Sequence, residues 1–167
     1  FDIFFTQGNK YLKVLKKIFP NNKAYAIGSF KVDLASYKFN KSSIKKIIYK
    51  KEGKIPRKKI ISICTAINEE KNIISFLNKC NLSDFLIILC PHPYYKKETL
   101  YEFMNNFKHE FKVFDELSTR EIISISDFVI CGNSSVGFEA VLNKIKSFRL
   151  LDKSYPPYYD LNDGIPV

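Results

Sequence analysis

Hydrophobic positions follow two alternating patterns from Lys59 onward. Short continuous apolar runs, typical of strands buried on both faces, are separated by segments in which apolar residues recur every three or four positions, as in amphipathic helices. The predicted strands are Ile60–Thr65, Phe85–Cys90, Phe111–Phe114, Phe128–Cys131 and Ile145–Leu151. Strands that alternate with helices in this way predict an α/β fold with a parallel, doubly wound sheet that is covered on both faces.

Four helices are predicted between these strands: Asn68–Cys80, Lys96–Phe107, a short helix opened by the capping box Ser118–Glu121, and Ser134–Leu142. Asn68 is the expected cap of the first of them. In the second, the stripe of Leu100, Phe103, Met104 and Phe107 predicts a buried face and not a cofactor site.

Residues 1–58 are predicted to form a leading or interdomain segment, and residues 59–167 the main domain. The leading segment contains a strand over Phe1–Phe5, a helix over Asn9–Phe19 and a strand over Ala24–Gly28. The chain starts inside a predicted strand and without Met, so we expect it to be the latter part of a longer protein. We also expect the main domain to be incomplete at its carboxyl end.

The composition predicts a soluble globular chain, because 46% of the 167 residues are hydrophobic and can form a substantial core. The apolar runs are far shorter than the ~20 residues of a membrane span, and the first residues do not resemble a secretory signal. The four cysteines, Cys64, Cys80, Cys90 and Cys131, have no CxxC spacing. Buried free thiols in a reducing cytoplasm are therefore expected, and neither disulfides nor a zinc site.

The net charge is +10, and eight of the fifteen residues from Lys45 to Lys59 are Lys or Arg. Gly53 and Pro56 within this run favour a solvated connector between the two parts of the chain. The alternative is peripheral contact with anionic lipid headgroups at the inner face of the membrane. Nucleic acid is not an expected partner, since the chain has only three arginines and no recognised nucleic-acid motif.

The segment Asp127–Ala140 carries the main chemical hypothesis. Its apolar strand runs into Gly132, Asn133, Ser134 and Ser135, residues that suit a tight turn followed by a helix N-terminus. Such a helix start offers backbone N–H groups, and here two hydroxyls, to a phosphate. Glu139 follows Ser135 by about one helical turn and could reach a sugar hydroxyl near that phosphate. The pattern predicts a site for a nucleotide-activated sugar.

Two features distinguish this segment from an ordinary serine cap. Glu139 is four residues after Ser135, whereas a capping box requires three. Gly137 in the first turn weakens the helix by about 1 kcal/mol relative to Ala, and glycine at such a place commonly admits a ligand or another backbone.

His92 is the second candidate for a residue of the binding site. It lies between Pro91 and Pro93 in the loop after the predicted strand Phe85–Cys90, at the same sheet edge as the two serines. Ligands of parallel sheets bind outside the carboxyl ends of the strands, and an imidazole there can hydrogen-bond or protonate a departing phosphate oxygen. His109, beyond a predicted helix, is expected to be an ordinary surface residue.

The pair of motifs Pro91-His92-Pro93 and Ser134–Ala140 resembles the carboxyl-terminal, nucleotide-binding domain of GT-B glycosyltransferases that build surface or capsular polysaccharide. The similarity is greatest to bacterial sialyltransferases and capsule Kdo transferases, with comparable motifs in CDP-glycerol glycerophosphotransferases. The stretch Gly28–Asp33 is similar to the interdomain part of such enzymes. The resemblance implies a Rossmann-like half of a GT-B fold and a CMP-sugar donor.

Carried over, the resemblance implies that His92 contacts the donor phosphate and assists loss of the nucleotide. Ser134 and Ser135 would bind that phosphate, and Glu139 would face the ribose or the sugar. The acceptor would be a polysaccharide or glycolipid, and neither a metal nor a cofactor is implied. The family's catalytic base has no match here, so the chain is expected to bind a donor but to transfer nothing alone.

Three alternatives stay open. One is a CDP-glycerol glycerophosphotransferase, and another is a UDP-sugar 2-epimerase, which shares this architecture and also places a Ser-rich loop and a Glu after a strand. The third is a non-catalytic, flavodoxin-like binding domain, because fold-level analogy does not determine function.

Overall fold

The computed structural model describes residues 3–6, 9–27, 38–52, 58–66, 68–132 and 134–150 of the chain. These residues fall into two compact units. The first contains the described residues up to Ile27, and the second contains those from Lys38 onward. The division precedes the boundary at residue 58 that we expected from the basic run. The Gly28–Asp33 stretch and Asn133 lie outside the described residues.

The first unit contains a parallel pair of short strands with one helix between them in sequence. Strand β1 is Ile3–Thr6, helix α1 is Asn9–Ile18 and strand β2 is Lys23–Ala26. Ile3 pairs with Lys23 and Thr6 with Ala26. The rings of Phe4 and Phe19 stack with their centroids 5.1 Å apart, so the helix end packs on the first strand.

The second unit contains the remaining elements, in the order in which the chain forms them: α2 (Lys41–Glu52), β3 (Lys59–Cys64), α3 (Glu70–Leu77), β4 (Phe85–Cys90), a 3₁₀ turn (Pro93–Tyr95), α4 (Lys96–Asn106), α5 (Thr119–Ile125), β5 (Phe128–Cys131), α6 (Val136–Leu142) and β6 (Lys146–Arg149). Its four described strands are all parallel and lie in the order β4-β3-β5-β6. The prediction of an α/β fold with a parallel sheet is therefore confirmed.

Two hydrophobic clusters cover the two faces of this sheet. Alternate residues of β3 point to opposite faces, so Ile60 and Cys64 belong to one cluster while Ile61 and Ile63 belong to the other. The first cluster also takes residues from α2, α5 and α6, and the second takes residues from α3 and α4. Burial of both faces explains why β4 and β5 appear in the sequence as continuous apolar runs, and why β3 does so apart from Ser62.

The basic segment Lys45–Lys59 is not a connector throughout. Its first half belongs to α2, whose Ile44 and Ile48 are one helical turn apart and are 4% and 0% exposed. These two isoleucines anchor the helix in the first cluster, while Lys45, Lys46 and Lys50 remain exposed. The apolar pattern did not predict this helix, because lysines occupy half of its other positions. Among the described residues, no helix is both long and apolar enough to cross a membrane.

The prediction of a strand over Phe111–Phe114 is wrong. Lys112 forms a single parallel bridge to Ile88 at the edge of the sheet, through bonds of 2.9 Å to Ile87 O and from Leu89 N. The segment lies between a bend at His109 and a turn at Asp115, and Lys112 is its only residue paired with β4 in the described structure. The apolar pattern there reflects packing against the two clusters and not pairing along β4.

Two smaller predictions are also corrected. Asn68 does not cap α3; it adopts a left-handed conformation with φ 61°, and Glu69 is the residue before the helix. In α4, Met104 is 75% exposed, whereas Thr99 is fully buried beside Phe103 and donates to Glu70 Oε1 at 2.7 Å. The buried face is therefore rotated by about one residue from the predicted stripe.

Candidate active site at the carboxyl edge of the sheet

The strand order creates a switch point between β3 and β5. The chain passes from β3 to β4 on one side, and later returns to pair β5 with the other side of β3. Ligands of such sheets bind in the crevice outside the carboxyl ends of the two strands where the direction reverses. The residues that follow Cys64 and Cys131 therefore form the candidate site, and the two cysteines are in register with each other.

The turn after β5 connects directly to α6. Ser134 N donates to Gly132 O at 2.9 Å, and Ser134 Oγ accepts from Val136 N at 3.3 Å. Ser135 is the residue before the helix, but its side chain forms no capping hydrogen bond. The helix thus starts two residues later than predicted, and the Ser135 hydroxyl is not used to cap it. Asn133 stays a prediction, since the structure does not describe it.

Glu139 lies on α6 one turn from Ser135, as predicted, and its backbone N–H donates to Ser135 O at 3.1 Å. Its side chain is only 9% exposed, and Arg120 of α5 donates from Nε to Oε2 at 2.8 Å. A buried carboxylate requires such a partner, because burial of an unpaired charge is very costly. The sequence around Glu139 does not indicate Arg120, which is 19 residues away in the chain and on a different helix.

Glu69 is a second buried acid at the switch point, with 6% exposure. Its carboxylate lies directly against Gly132: a Cβ on that glycine would be 1.4 Å from Glu69 Oε2. The glycine is therefore explained by close approach of a side chain as well as by turn chemistry. Glu69 comes directly after the loop that follows β3 and is the last residue before α3. Ligand-binding residues are expected after the carboxyl ends of strands, and extending this expectation to the last residue before each helix would have identified Glu69.

Gly137 has a structural explanation. A Cβ there would lie 2.7 Å from Cys131 Sγ and 3.3 Å from Ser147 Oγ, so the missing side chain lets α6 pack closely on β5 and β6. The expected close approach at Gly137 therefore occurs between the helix and strand side chains, and this contact needs no ligand.

His92 lies at the carboxyl edge but not beside the serines. It follows β4, and β3 separates β4 from β5, so two strand spacings, or about 10 Å, lie between the two strand ends. Its backbone N–H donates to the Thr65 hydroxyl at 3.2 Å, which connects the loops after β3 and β4. Its Nδ1 accepts from Tyr94 N at 3.4 Å, and the imidazole lies near the rings of Tyr94 and Tyr95.

Three cysteines end adjacent strands in register: Cys90, Cys64 and Cys131. All are buried free thiols, and Cys80 is a half-buried free thiol. The hydrogen bond with Cys90, together with burial, raises the pKa of the Cys64 thiol well above its ordinary value. Burial also raises the pKa of the Cys131 thiol, an effect that its hydrogen bond to Ser147 and the charge of Arg149 oppose. A raised pKa keeps the Cys64 and Cys131 thiols in the protonated, less nucleophilic form.

Within the described ranges, no group of three or more His, Cys, Asp or Glu side chains is arranged to hold a metal ion. A cleft of about 400 Å³ exists at the opposite, amino ends of β3 and β4, where Lys58, Phe85, Lys108 and His109 line it. Its position makes it a poor candidate for the site, because the ligands of parallel sheets bind at the carboxyl ends.

Comparison with known proteins gives structural matches but no sequence match. Neither a family model nor a curated protein matches the sequence. The wall teichoic acid polymerase TagF, in a structure with CDPG, matches with a TM-score of 0.61 over 99% of this chain and 42% of that chain, at 19% identity. A putative UDP-N-acetylglucosamine 2-epimerase from Listeria monocytogenes matches with a TM-score of 0.58 over 91% of this chain and 43% of that chain, at 12% identity.

This chain thus spans less than half the length of either protein. At these identities the likeness establishes the fold, an α/β unit with a parallel sheet, and assigns no residue a role.

Proposed function

We propose that this chain is the donor-binding part of a GT-B glycosyltransferase that moves a sugar from a nucleotide-activated donor to a surface polysaccharide or glycolipid acceptor. The observation that carries the proposal is the gathering of polar groups at the switch point, where Ser135, Glu139, Arg120 and Glu69 lie around the ends of β3 and β5. The fold shared with TagF, a wall teichoic acid polymerase, supports it.

In this proposal the turn after β5 binds the donor phosphate. The Ser135 hydroxyl forms no capping bond, and the Ser134 hydroxyl accepts one hydrogen bond while keeping its own proton to donate. Two hydroxyl donors beside the backbone N–H groups of a turn suit a phosphate. Glu139, one turn further along α6, accepts from a ribose or sugar hydroxyl.

We propose that His92 contacts the donor phosphate and assists departure of the nucleotide by donating a hydrogen bond to it. Because its Nδ1 accepts from Tyr94 N, the neutral imidazole carries its proton on Nε2, which is the atom that can donate to a phosphate oxygen. The donor must extend across the end of β3 to meet both His92 and the serines. The nucleotide-activated sugar is the substrate in this scheme, and no step requires a metal or a cofactor.

The paired motifs around His92 and Ser134 favour a CMP-activated sugar as the donor. The alternative is CDP-glycerol, and the match to a TagF structure with CDPG supports it. Because the chain spans 42% of that structure, the property to measure first is binding and not transfer.

Calorimetric titration with CMP, CDP, UMP and UDP tests the proposal. We expect at least one nucleotide to bind, and its affinity to fall at least about tenfold in the S134A/S135A variant, a loss of about 1.4 kcal/mol. The matched control is S42A/S43A, which removes a second Ser-Ser pair at the exposed start of α2. Binding of no nucleotide, or equal binding by all three proteins, would refute a donor site at this turn.

A UDP-sugar 2-epimerase is the second candidate, supported by the match to the putative Listeria monocytogenes enzyme. In the same titration, UDP as the tightest ligand would favour it over a cytidine-dependent transferase. The non-catalytic alternative would be favoured by nucleotide binding that H92A and S134A/S135A both leave unchanged.

We also propose that the outer face of α2 contacts anionic lipid headgroups. Lys45, Lys46 and Lys50 are exposed there, and each lysine near such a surface contributes about 1 kcal/mol. Co-sedimentation with phosphatidylserine vesicles should decrease in a K46Q/K50Q variant. No binding to these vesicles by the unmodified chain would exclude this contact.

A further inference from the structure

Helix α5 supplies the partner of the acid in the candidate site. Arg120 donates from Nε to Glu139 Oε2 at 2.8 Å, and the two side chains are 32% and 9% exposed. We propose that Arg120 is a positioning residue that fixes the Glu139 carboxylate for recognition of the ribose hydroxyls of the donor nucleotide. This inference rests on the proposed nucleotide-binding function and adds to it the residue on which sugar discrimination depends.

Glu139 has a carboxylate whose orientation the contact with Arg120 restricts. Its main chain is already fixed, because its N–H donates to Ser135 O and the Asn143 side-chain amide donates to its carbonyl at 2.8 Å. The carboxylate has three further torsions, and the contact with Arg120 Nε restricts them. A guanidinium N–H is a directional donor on a planar group, whereas a lysine ammonium would restrain only the distance.

Arg120 is itself held in place by the helix that carries it. It lies in the first turn of α5, and a complete capping box fixes that turn: Ser118 Oγ accepts from Glu121 N, and the Glu121 carboxylate accepts from Ser118 N at 2.8 Å. Ile122 and Ile123, the next residues on the helix, are buried in the cluster that also contains Ala140 of α6. The two helices that carry the ion pair are therefore held together by the same core.

The pair lies beside the turn that follows β5, and Glu139 is one helical turn from the hydroxyl that does not cap the helix. An ionised carboxylate accepts two hydroxyl donors well, and a vicinal diol of a ribose offers two. With Oε2 held by Arg120, the carboxylate keeps acceptor capacity for such a diol. A purely structural ion pair would affect folding and leave discrimination between sugars unchanged.

The experiment compares the ribonucleotide of the CMP, CDP, UMP and UDP panel that binds best with its 2′,3′-dideoxy analogue. We expect the unmodified chain to prefer the ribonucleotide by about tenfold or more. E139Q and R120Q should both reduce this preference to about twofold or less. The E139Q/R120Q double variant should show no further loss, since the two side chains act as one unit.

The matched control is K51Q, which breaks the exposed Lys51–Glu116 ion pair of 2.7 Å on the neighbouring surface and should keep the full preference. Thermal unfolding of each variant separates loss of fold from loss of discrimination. If R120Q does not fold, R120K retains the charge without the planar Nε donor and should still lose most of the preference.

The experiment distinguishes failure of the positioning role of Arg120 from failure of the proposed nucleotide-binding function. Full preference in R120Q or in folded R120K would overturn the positioning role and leave the nucleotide-binding function intact. Binding of no nucleotide by the unmodified chain would refute the proposed function, and the inference with it.

Discussion

Substitution of Gly132 by alanine tests the arrangement of the switch point directly. The added Cβ would lie 1.4 Å from Glu69 Oε2, 2.2 Å from Cδ and 2.8 Å from Oε1. Carbon and oxygen atoms not bonded to each other need more than 3 Å, so the carboxylate has to move by about 2 Å. The obstacle is the end of a flexible side chain and not backbone, and the Gly132 backbone lies outside the left-handed region. The variant should therefore fold, with Glu69 displaced.

Two opposing effects determine how far Gly132→Ala lowers the free energy of unfolding. Overpacking of a buried position destabilises by about 1–3 kcal/mol, and the reduced freedom of the unfolded chain returns about 0.4–1 kcal/mol. The net loss in the free energy of unfolding is then about 1–2 kcal/mol, or a decrease in Tm of roughly 2–8 °C for a chain of this size. Urea denaturation followed by circular dichroism measures the free energy.

A double-mutant cycle with Glu69→Ala tests whether the contact with Glu69 causes the loss of stability in Gly132→Ala. In the Glu69→Ala background the alanine at residue 132 meets no carboxylate, so its cost should nearly vanish, with a coupling energy of about 1 kcal/mol or more. The control is Glu70→Ala, which removes the neighbouring acid that pairs with Thr99, and it should be additive with Gly132→Ala. Additivity in the Glu69 cycle, within about 0.5 kcal/mol, would refute the proposed contact between Glu69 and Gly132.

Three further predictions concern packing and charge. Gly137→Ala should destabilise by about 1–3 kcal/mol, measured by urea denaturation, because its Cβ would lie 2.7 Å from a thiol sulfur of β5. Phe103→Ala should cost about 3–5 kcal/mol and Met104→Ala less than about 0.5, since the former is fully buried and the latter 75% exposed; equal costs would contradict the assigned face of α4. The hydrogen bond from Lys51 lowers the pKa of the Glu116 carboxyl, so Lys51→Met should raise that pKa in an NMR titration. A carboxyl with a lowered pKa stabilises the fold above its unfolded-state pKa and loses that effect as the pH falls through its folded-state value, so the variant should lose less stability on acidification.

The strands show what local pattern can and cannot predict. The predicted strands Ile60–Thr65 and Phe85–Cys90 correspond to β3 (Lys59–Cys64) and β4 (Phe85–Cys90), because strands buried on both faces are predominantly apolar. Phe111–Phe114 has the same character but forms one bridge, because an apolar run reports burial and not a pairing partner. The basic helix α2 was not predicted, for the converse reason: two buried residues, Ile44 and Ile48, suffice to anchor a helix that is otherwise largely exposed.

The candidate site likewise has parts that the local sequence predicts and parts that it does not. The turn and helix of Ser134–Leu142 are local, and the residues Gly, Asn and Ser together with the next apolar positions predict them within two residues. Arg120 and Glu69 join the site only through tertiary structure, since α5 packs beside α6 and the end of β3 meets the end of β5. Neither contact has a signature in the sequence around Glu139.

The strand order also decides how His92 and the serines could act together. Had β5 paired with β4, the two loops would be adjacent and one phosphate could contact both. Because β3 lies between them, a ligand that meets both must cross about 10 Å of sheet edge, over the loop that contains Thr65 and leads to Glu69. A free phosphate is too small for this, whereas a nucleotide with its activated group is long enough. The geometry therefore requires Glu69 and Thr65 to lie beneath the middle of such a donor, so binding of a complete donor should depend on Glu69 more strongly than binding of inorganic phosphate does.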